Sequence, residues 1–311
     1  MSDLTHQPVL WREVVRFLDF GNRPARLIDG TLGNGGHSAL LLEANPELEI
    51  LGIDRDAEAL ERAAKTLAFA AGRVKLRRGN FSQLAEIADA EGWREVDGVL
   101  LDIGVSSPQL DDPARGFSWR AEGPLDMRMD QRSDLTAARI LNRWSEEDLE
   151  RMFREYGEIR KSRKLAKTVC EIRETRLFGN TLDLVAACDR ALGRSRPGEL
   201  PSPTLAFQAL RIAVNDELGE LAKALDAALA ILKPGGKLAV ISFHSLEDRM
   251  VKHYFREAAL ECVCPPGLPV CVCGKQATVR VLTRKAVTAE DDELAVNRRA
   301  APARLRVVEK L

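Results

Sequence analysis

In its first 102 residues the chain alternates short apolar runs with helical stripes, and that alternation leaves little choice of fold. The apolar runs cover 25–29, 48–53, 74–76 and 96–101. Between the second and third, DAEALERAAKTLAF puts Leu60, Ala63, Ala64 and Leu67 on one helical face, and FSQLAEIADAEGW does the same more weakly before the fourth. This spacing predicts βαβ units and a parallel sheet.

The alternation then stops for about a hundred residues, a stretch marked by Pro108, Pro113, Pro124, Pro197, Pro201 and Pro203 with charged helical segments between them. Ser202-Pro203-Thr204 starts a new helix, an apolar stripe runs to Leu232, and Lys233-Pro234-Gly235-Gly236 ends it before a fifth strand at 237–241. The helix SLEDRMVKHYFREAAL follows, with Ser245 and Asp248 in capping-box-like positions, and alternating runs at 278–282 and 304–308 close the chain. The expected architecture is one doubly wound α/β domain made of residues 1–104 and 205–311, split by a mainly helical insertion at 105–204. A length of 311 residues fits two domains' worth of chain. At 45% hydrophobic and 30% charged, the composition excludes disordered and fibrous classes. No apolar run approaches the roughly 20 residues that span a bilayer, and MSDLTHQPVLWREVV lacks a signal-peptide layout, so a cytoplasmic protein with no membrane partner is expected.

In an open parallel sheet the ligand lies beyond the carboxyl ends of the strands. After the first strand comes DGTLGNGGHS, residues 29–38, whose glycines let backbone approach a ligand at a helix N-terminus. Asp54 ends the second strand, where an acid can accept both hydroxyls of a ribose; Phe81 follows the third, where a ring can lie against adenine; Asp102 ends the fourth. A dinucleotide fingerprint starting at Gly33 would need glycine where Ser38 stands, so a nicotinamide or flavin dehydrogenase is disfavoured. Asp29 and Asp102 put carboxylates where phosphates would be repelled. An adenosyl ligand bearing a sulfonium, S-adenosyl-L-methionine, suits them better.

Net charge is -1, from 46 basic and 47 acidic residues, so no global pull toward an anionic polymer exists. Locally the picture differs: residues 151–176 hold nine Lys or Arg against four Glu. That run reads either as a solvated helix face or as phosphate contacts. Cys262, Cys264, Cys271 and Cys273 form two C-x-C pairs around a Pro-Gly turn, and two readings stay open: a tetrahedral structural zinc, or reduced thiols packing a hairpin.

The strings DGTLGNGGHS, LLDIGVSSPQLDDPARGFSWRAEGPLDMRMD, FQALRIAVNDEL and GGKLAVISFHSLEDRMVKHYF resemble those of the RsmH (MraW) family, bacterial enzymes that methylate the exocyclic 4-amino group of a cytidine in the decoding region of 16S ribosomal RNA. The resemblance runs from His6 through the last strand. It implies a Rossmann-like class I methyltransferase sheet with an inserted, mainly helical substrate-side domain. It also implies a cofactor site built from Gly35, Gly36, His37, Asp54, Phe81, Asp102 and Gln109. Its expected partner is 16S ribosomal RNA within the small ribosomal subunit, with a homodimer left open. The chain departs from the family where HPATRTF is usual and Pro201–Phe207 reads PSPTLAF, and where NPRSRSA becomes NRRAAPA at 297–303; both lie outside the cofactor loops.

Methyl transfer to an amine needs in-line placement of donor and acceptor, together with groups that take up the proton of a nitrogen whose lone pair is delocalised into the base. Asp102, Ser242 and His244 are the candidates at strand ends, and Asp126 in PLDMRMD is a fourth. Arg115, Arg128 and the basic residues of 160–167 are candidates for RNA phosphates, with the target cytidine flipped out of a single-stranded or loop segment. A second reading, from another class, is an RNA-binding or assembly protein of methyltransferase fold that has lost activity.

Overall fold

The computed structural model describes residues 7–193, 201–265 and 272–311. The chain divides into two compact units, one formed by Met1–Gly104 and Gly219–Leu311, the other by Val105–Leu218.

The first unit opens with α1 (Trp11–Phe17), then alternates β1 (Ala25–Asp29), α2 (Gly36–Ala44), β2 (Leu48–Asp54), α3 (Ala57–Thr66), β3 (Val74–Arg78), α4 (Leu84–Ala90) and β4 (Val96–Asp102). The second unit carries α5 (Ser107–Asp111), α6 (Ala137–Arg143), α7 (Glu146–Glu155), α8 (Ser162–Arg173), α9 (Thr181–Leu192) and α10 (Ser202–Asn215). After it come α11 (Glu217–Ile231), β5 (Leu232–Ser242), α12 (Ser245–Ala258), β6 (Val279–Val281), α13 (Asp291–Val296) and β7 (Arg304–Lys310).

The seven strands form one sheet in the order β3-β2-β1-β4-β5-β7-β6. The β1–β5 strands are parallel, while β7 runs antiparallel to both β5 and β6. Strand order reverses between β1 and β4, the switch point at which a crevice opens above a Rossmann-like sheet. Neighbouring residues of one strand face opposite layers: Leu27 and Leu100 join a core with α1 and α2, whereas Ile28 and Leu101 join another with α4, α11 and α12. Burial on both faces explains why these strands read as unbroken apolar runs.

The β5 strand starts earlier than its sequence suggests. Leu232 already pairs with Val96, and the ladder then jumps to Lys237 opposite Gly98. The Pro-Gly-Gly segment is thus a bulge inside the strand, with Gly235 at φ 79 and Lys233 ion-paired to Asp97.

Among the described residues the second unit contains helices and a single isolated bridge between Pro124 and Asn180. This compact unit begins at Val105 and runs on to Leu218, past 204, the expected end of the insertion. The reason is α10, whose Ala206, Phe207, Ala209, Leu210 and Val214 pack into the core around Phe153, Leu165 and Leu184. A helix goes where its apolar face is buried, whatever the proline that precedes it. Ser145 caps α7 by accepting a hydrogen bond from the Asp148 N–H at 3.1 Å. Ser145→Ala should therefore destabilise the protein by about 1 kcal/mol, read from urea unfolding. No helix among the described residues is long and apolar enough to cross a membrane.

Candidate active site

The site is assembled in the first unit by the turn from β1 into α2. Its backbone is stitched to the sheet on both sides: Gly30 N–H donates to the Leu100 carbonyl at 3.0 Å and Leu32 N–H to the Ile53 carbonyl at 3.0 Å. Gly33 takes φ 53, and a Cβ there would meet only the Thr31 carbonyl, at 3.9 Å. Gly36 is glycine for another reason, because a Cβ there would sit 2.7 Å from the Pro8 side chain.

Three carboxylates end three adjacent strands, and each is tied to this turn. Asp29 accepts from Ser38 Oγ at 2.7 Å and from Thr31 N–H at 3.3 Å. Asp54 accepts from Gly33 N–H and Asp56 N–H, both at 2.8 Å. The Asp102 N–H donates to Thr31 Oγ1 at 2.6 Å. Burial pushes Asp29 and Asp54 above the usual carboxylate range, and outweighs the hydrogen bonds that act in the opposite sense.

Asp102 is strongly perturbed too. Burial, followed by the charge of Glu247, raises its pKa to about 7. A quarter of the side chain faces solvent, yet Oδ1 is buried with no hydrogen-bond partner among the described residues. The other oxygen, Oδ2, lies 3.6 Å from His37 Nδ1. His37 Nε2 is 2.8 Å from the Val9 carbonyl, which can only accept, so Nε2 carries the imidazole proton. Burial lowers the His37 pKa, and the neutral ring turns the Nδ1 lone pair toward Asp102. Two acceptors face one another there, which favours a proton on Asp102 until the solution is near neutral.

The fifth strand contributes less freely. Ser242 is buried and donates to the Arg304 carbonyl at 3.4 Å. His244, rather than Ser245, is the N-cap of α12: its Nδ1 accepts from Glu247 N–H at 3.4 Å, and Glu247 returns the contact by accepting from His244 N–H at 3.3 Å, and from Phe243 N–H at 2.9 Å as well. Asp248, expected at the cap, pairs with Arg306 at 2.7 and 3.0 Å. Phe81 occupies a 3-10 turn after β3 and is 6% exposed, packed with Leu84 and Ile28.

Gln109 and Asp126 belong to the second unit. Gln109 is buried and accepts from Ser106 N–H at 3.1 Å in the capping box that starts α5. Asp126 accepts from Arg128 Nε at 2.9 Å and Nη2 at 2.7 Å; burial raises its pKa, but the guanidinium outweighs burial and holds it below the usual range. Arg128 also donates to the carbonyls of Gln131 and Ser133, while Arg115 is buried and donates to the Arg128 carbonyl. The residue that sequence reasoning missed is Glu247, fully buried and the charge that helps raise Asp102. Its signal was the acid three residues after His244.

The sequence pattern described as the MraW methylase family matches residues 3–311. The chain belongs to the MraW methylase family. Relatives in it include the ribosomal RNA small subunit methyltransferase H of Pelobacter propionicus, 50% identical across the whole of both chains. The protein of the same name from Heliobacterium mobile is 48% identical over 98% of this chain and 99% of its own, and that from Carboxydothermus hydrogenoformans is 42% identical over 99% of each.

Proposed function

We propose that this MraW methylase transfers a methyl group from S-adenosyl-L-methionine to the exocyclic 4-amino group of a cytidine in the decoding region of small-subunit ribosomal RNA. The observation that carries the reading is Asp102 Oδ1, a buried carboxylate oxygen without a partner at the end of β4, beside a glycine turn and two more acids. The printed names of the relatives supply small-subunit ribosomal RNA; the cytidine amine and its region rest on the resemblance of the motifs.

The residues fit such a cofactor. When bound, S-adenosyl-L-methionine supplies an electrophilic methyl group on a positively charged sulfur. Asp29 and Asp102 offer negative charge suited to a sulfonium and an amino head, Asp54 offers acceptor capacity for ribose hydroxyls, and Gly35, Gly36 and His37 form the turn along which the ligand lies. Phe81 and Gln109 are read as further cofactor residues, Phe81 on the adenine side. Asp102 receives the proton of the cytidine amine, and its acceptor character favours the tetrahedral nitrogen that methyl transfer requires. Ser242 and His244 are read as substrate-side positioning groups at the end of β5. Asp126, locked to Arg128, is a weak base and serves that loop's shape instead.

Incubating the protein with labelled S-adenosyl-L-methionine and small ribosomal subunits, then digesting the RNA for nucleoside mass spectrometry, should yield N(4)-methylcytidine. Absence of label from the RNA would favour the assembly-protein reading, and label on another nucleoside would overturn the choice of base. Asp54→Ala should weaken cofactor binding roughly 10- to 30-fold by calorimetry, equivalent to losing about one charge-assisted hydrogen bond.

A further inference from the structure

A second cluster of reactive side chains lies far along the chain from the strand-end acids, in the connection between α12 and β6. Cys262, Cys264 and Cys273 there bring their three Sγ atoms within 4.8 Å of one another. We propose that these three cysteines hold a structural zinc ion, or an equally soft divalent cation, that fixes the fold of this connection.

Distances favour a metal over a disulfide. A tetrahedral zinc with sulfur at about 2.3 Å sets ligand sulfurs about 3.8 Å apart, the edge of the tetrahedron, whereas a disulfide would bring them to about 2.05 Å. Cys262 Sγ and Cys273 Sγ are 3.8 Å apart. The backbone also prepares the sulfurs for a cation. Cys264 N–H donates to Cys262 Sγ at 3.3 Å and Val263 N–H to Cys273 Sγ at 3.4 Å. Hydrogen bonds donated to sulfur favour the thiolate, the form that ligates metal.

Hydrophobic burial gives this connection little reason to converge. Val263 is 58% exposed and Val272 79% exposed, so the apolar residues beside the cysteines point into water rather than into a core. Backbone closure occurs further out, where Thr278 N–H donates to the Ala258 carbonyl at 2.8 Å. With its described apolar residues so exposed, holding three sulfurs together calls for another source of free energy, and metal ligation is such a source. Cys271, the remaining member of the sequence pattern, lies outside the described residues, and the fourth corner of the tetrahedron is not assigned.

The test uses the full chain, purified without chelator, and does not depend on methyl transfer. Elemental analysis should find about one zinc per chain, and the double variant Cys262→Ser with Cys273→Ser should lose at least about 90% of it. Because that variant can fail to fold, the wild-type protein is also exchanged into cobalt, where thiolate ligation produces an intense near-ultraviolet charge-transfer band. Chelation should raise amide hydrogen exchange around Cys262–Cys264 while leaving β1 and β4 protected. Less than about half an equivalent of metal, metal retained by the double variant, or a cobalt spectrum without the thiolate band each overturns the proposal.

Discussion

Asp102→Asn should lower kcat by about 10²- to 10⁴-fold at saturating cofactor while the protein stays folded. The substitution keeps the shape of the side chain and the backbone N–H that donates to Thr31 Oγ1, so the turn from β1 into α2 should keep its geometry. It removes the basic oxygen. The same variant should also flatten the pH profile. In the wild type, burial and the Glu247 charge hold the carboxyl protonated to about pH 7, so turnover should rise through that pH and level off above it as Asp102 ionises. Its sign for stability is opposite. The folded chain keeps this proton up to about pH 7, whereas an unperturbed aspartate with a pKa of 3.8 has released it, so this group makes the native state lose stability as pH climbs across that window. Rapid-quench methylation assays across pH, with a cofactor titration alongside, separate the outcomes. A loss confined to cofactor affinity, with kcat and its pH dependence intact, would show that Asp102 holds the donor and takes no proton.

Replacing Arg160, Lys161, Arg163, Lys164 and Lys167 together by glutamine should weaken RNA binding about 10²-fold at low salt and reduce its salt dependence. All five are exposed, and no acidic residue lies among them in 160–167. Four of the five lie at or beside the first turn of α8, which has no acid there and no side-chain cap. Cations at that end oppose the helix dipole and cost roughly 0.3–1 kcal/mol each, so helix stability does not account for them. The opposite face of α8 is buried through Leu165, Ala166 and Val169, which fixes the charged face outward. Each phosphate contact to single-stranded RNA contributes a slope of about 0.7 to the dependence of log affinity on log salt, so losing four or five should lower the slope by about 3. Filter-binding titrations from low to moderate salt measure it. An unchanged slope would return these residues to the role of a solvated face. Arg115 and Arg128 are poorer candidates, since their guanidiniums already serve carbonyls and carboxylate of their own unit.

Much of the sheet was legible because its cause is local. Parallel strands buried on both faces appear as apolar runs, and the helices between them show one apolar stripe each, so 25–29, 48–53 and 96–101 emerge nearly at their observed limits. Features set by distant partners were not legible. The Pro-Gly-Gly segment reads as a helix stop and a loop, yet pairing with Val96 extends β5 across it. Ser245 looks like the natural cap, but His244 takes that place because its extended backbone and the Glu247 side chain together close the box. The end of the second unit reads as the proline cluster near 201–203, while burial of the α10 face carries it to Leu218.

By itself the sequence determined the kind of sheet, the glycine turn, the acids that end three strands and the family to which the motifs belong, because periodicity and residue type at fixed spacing are local properties. Tertiary structure decided what each acid can do. Asp29, Asp54, Asp102 and Asp126 are the same residue in the sequence, but their chemistry follows from what surrounds them. Asp126 meets a guanidinium and stays ionised, whereas Asp102 meets a buried carboxylate and a neutral imidazole and keeps its proton to about pH 7. The charge that helps raise Asp102 comes from Glu247, far along the chain, and burial depends on the whole fold, so no local pattern encodes either.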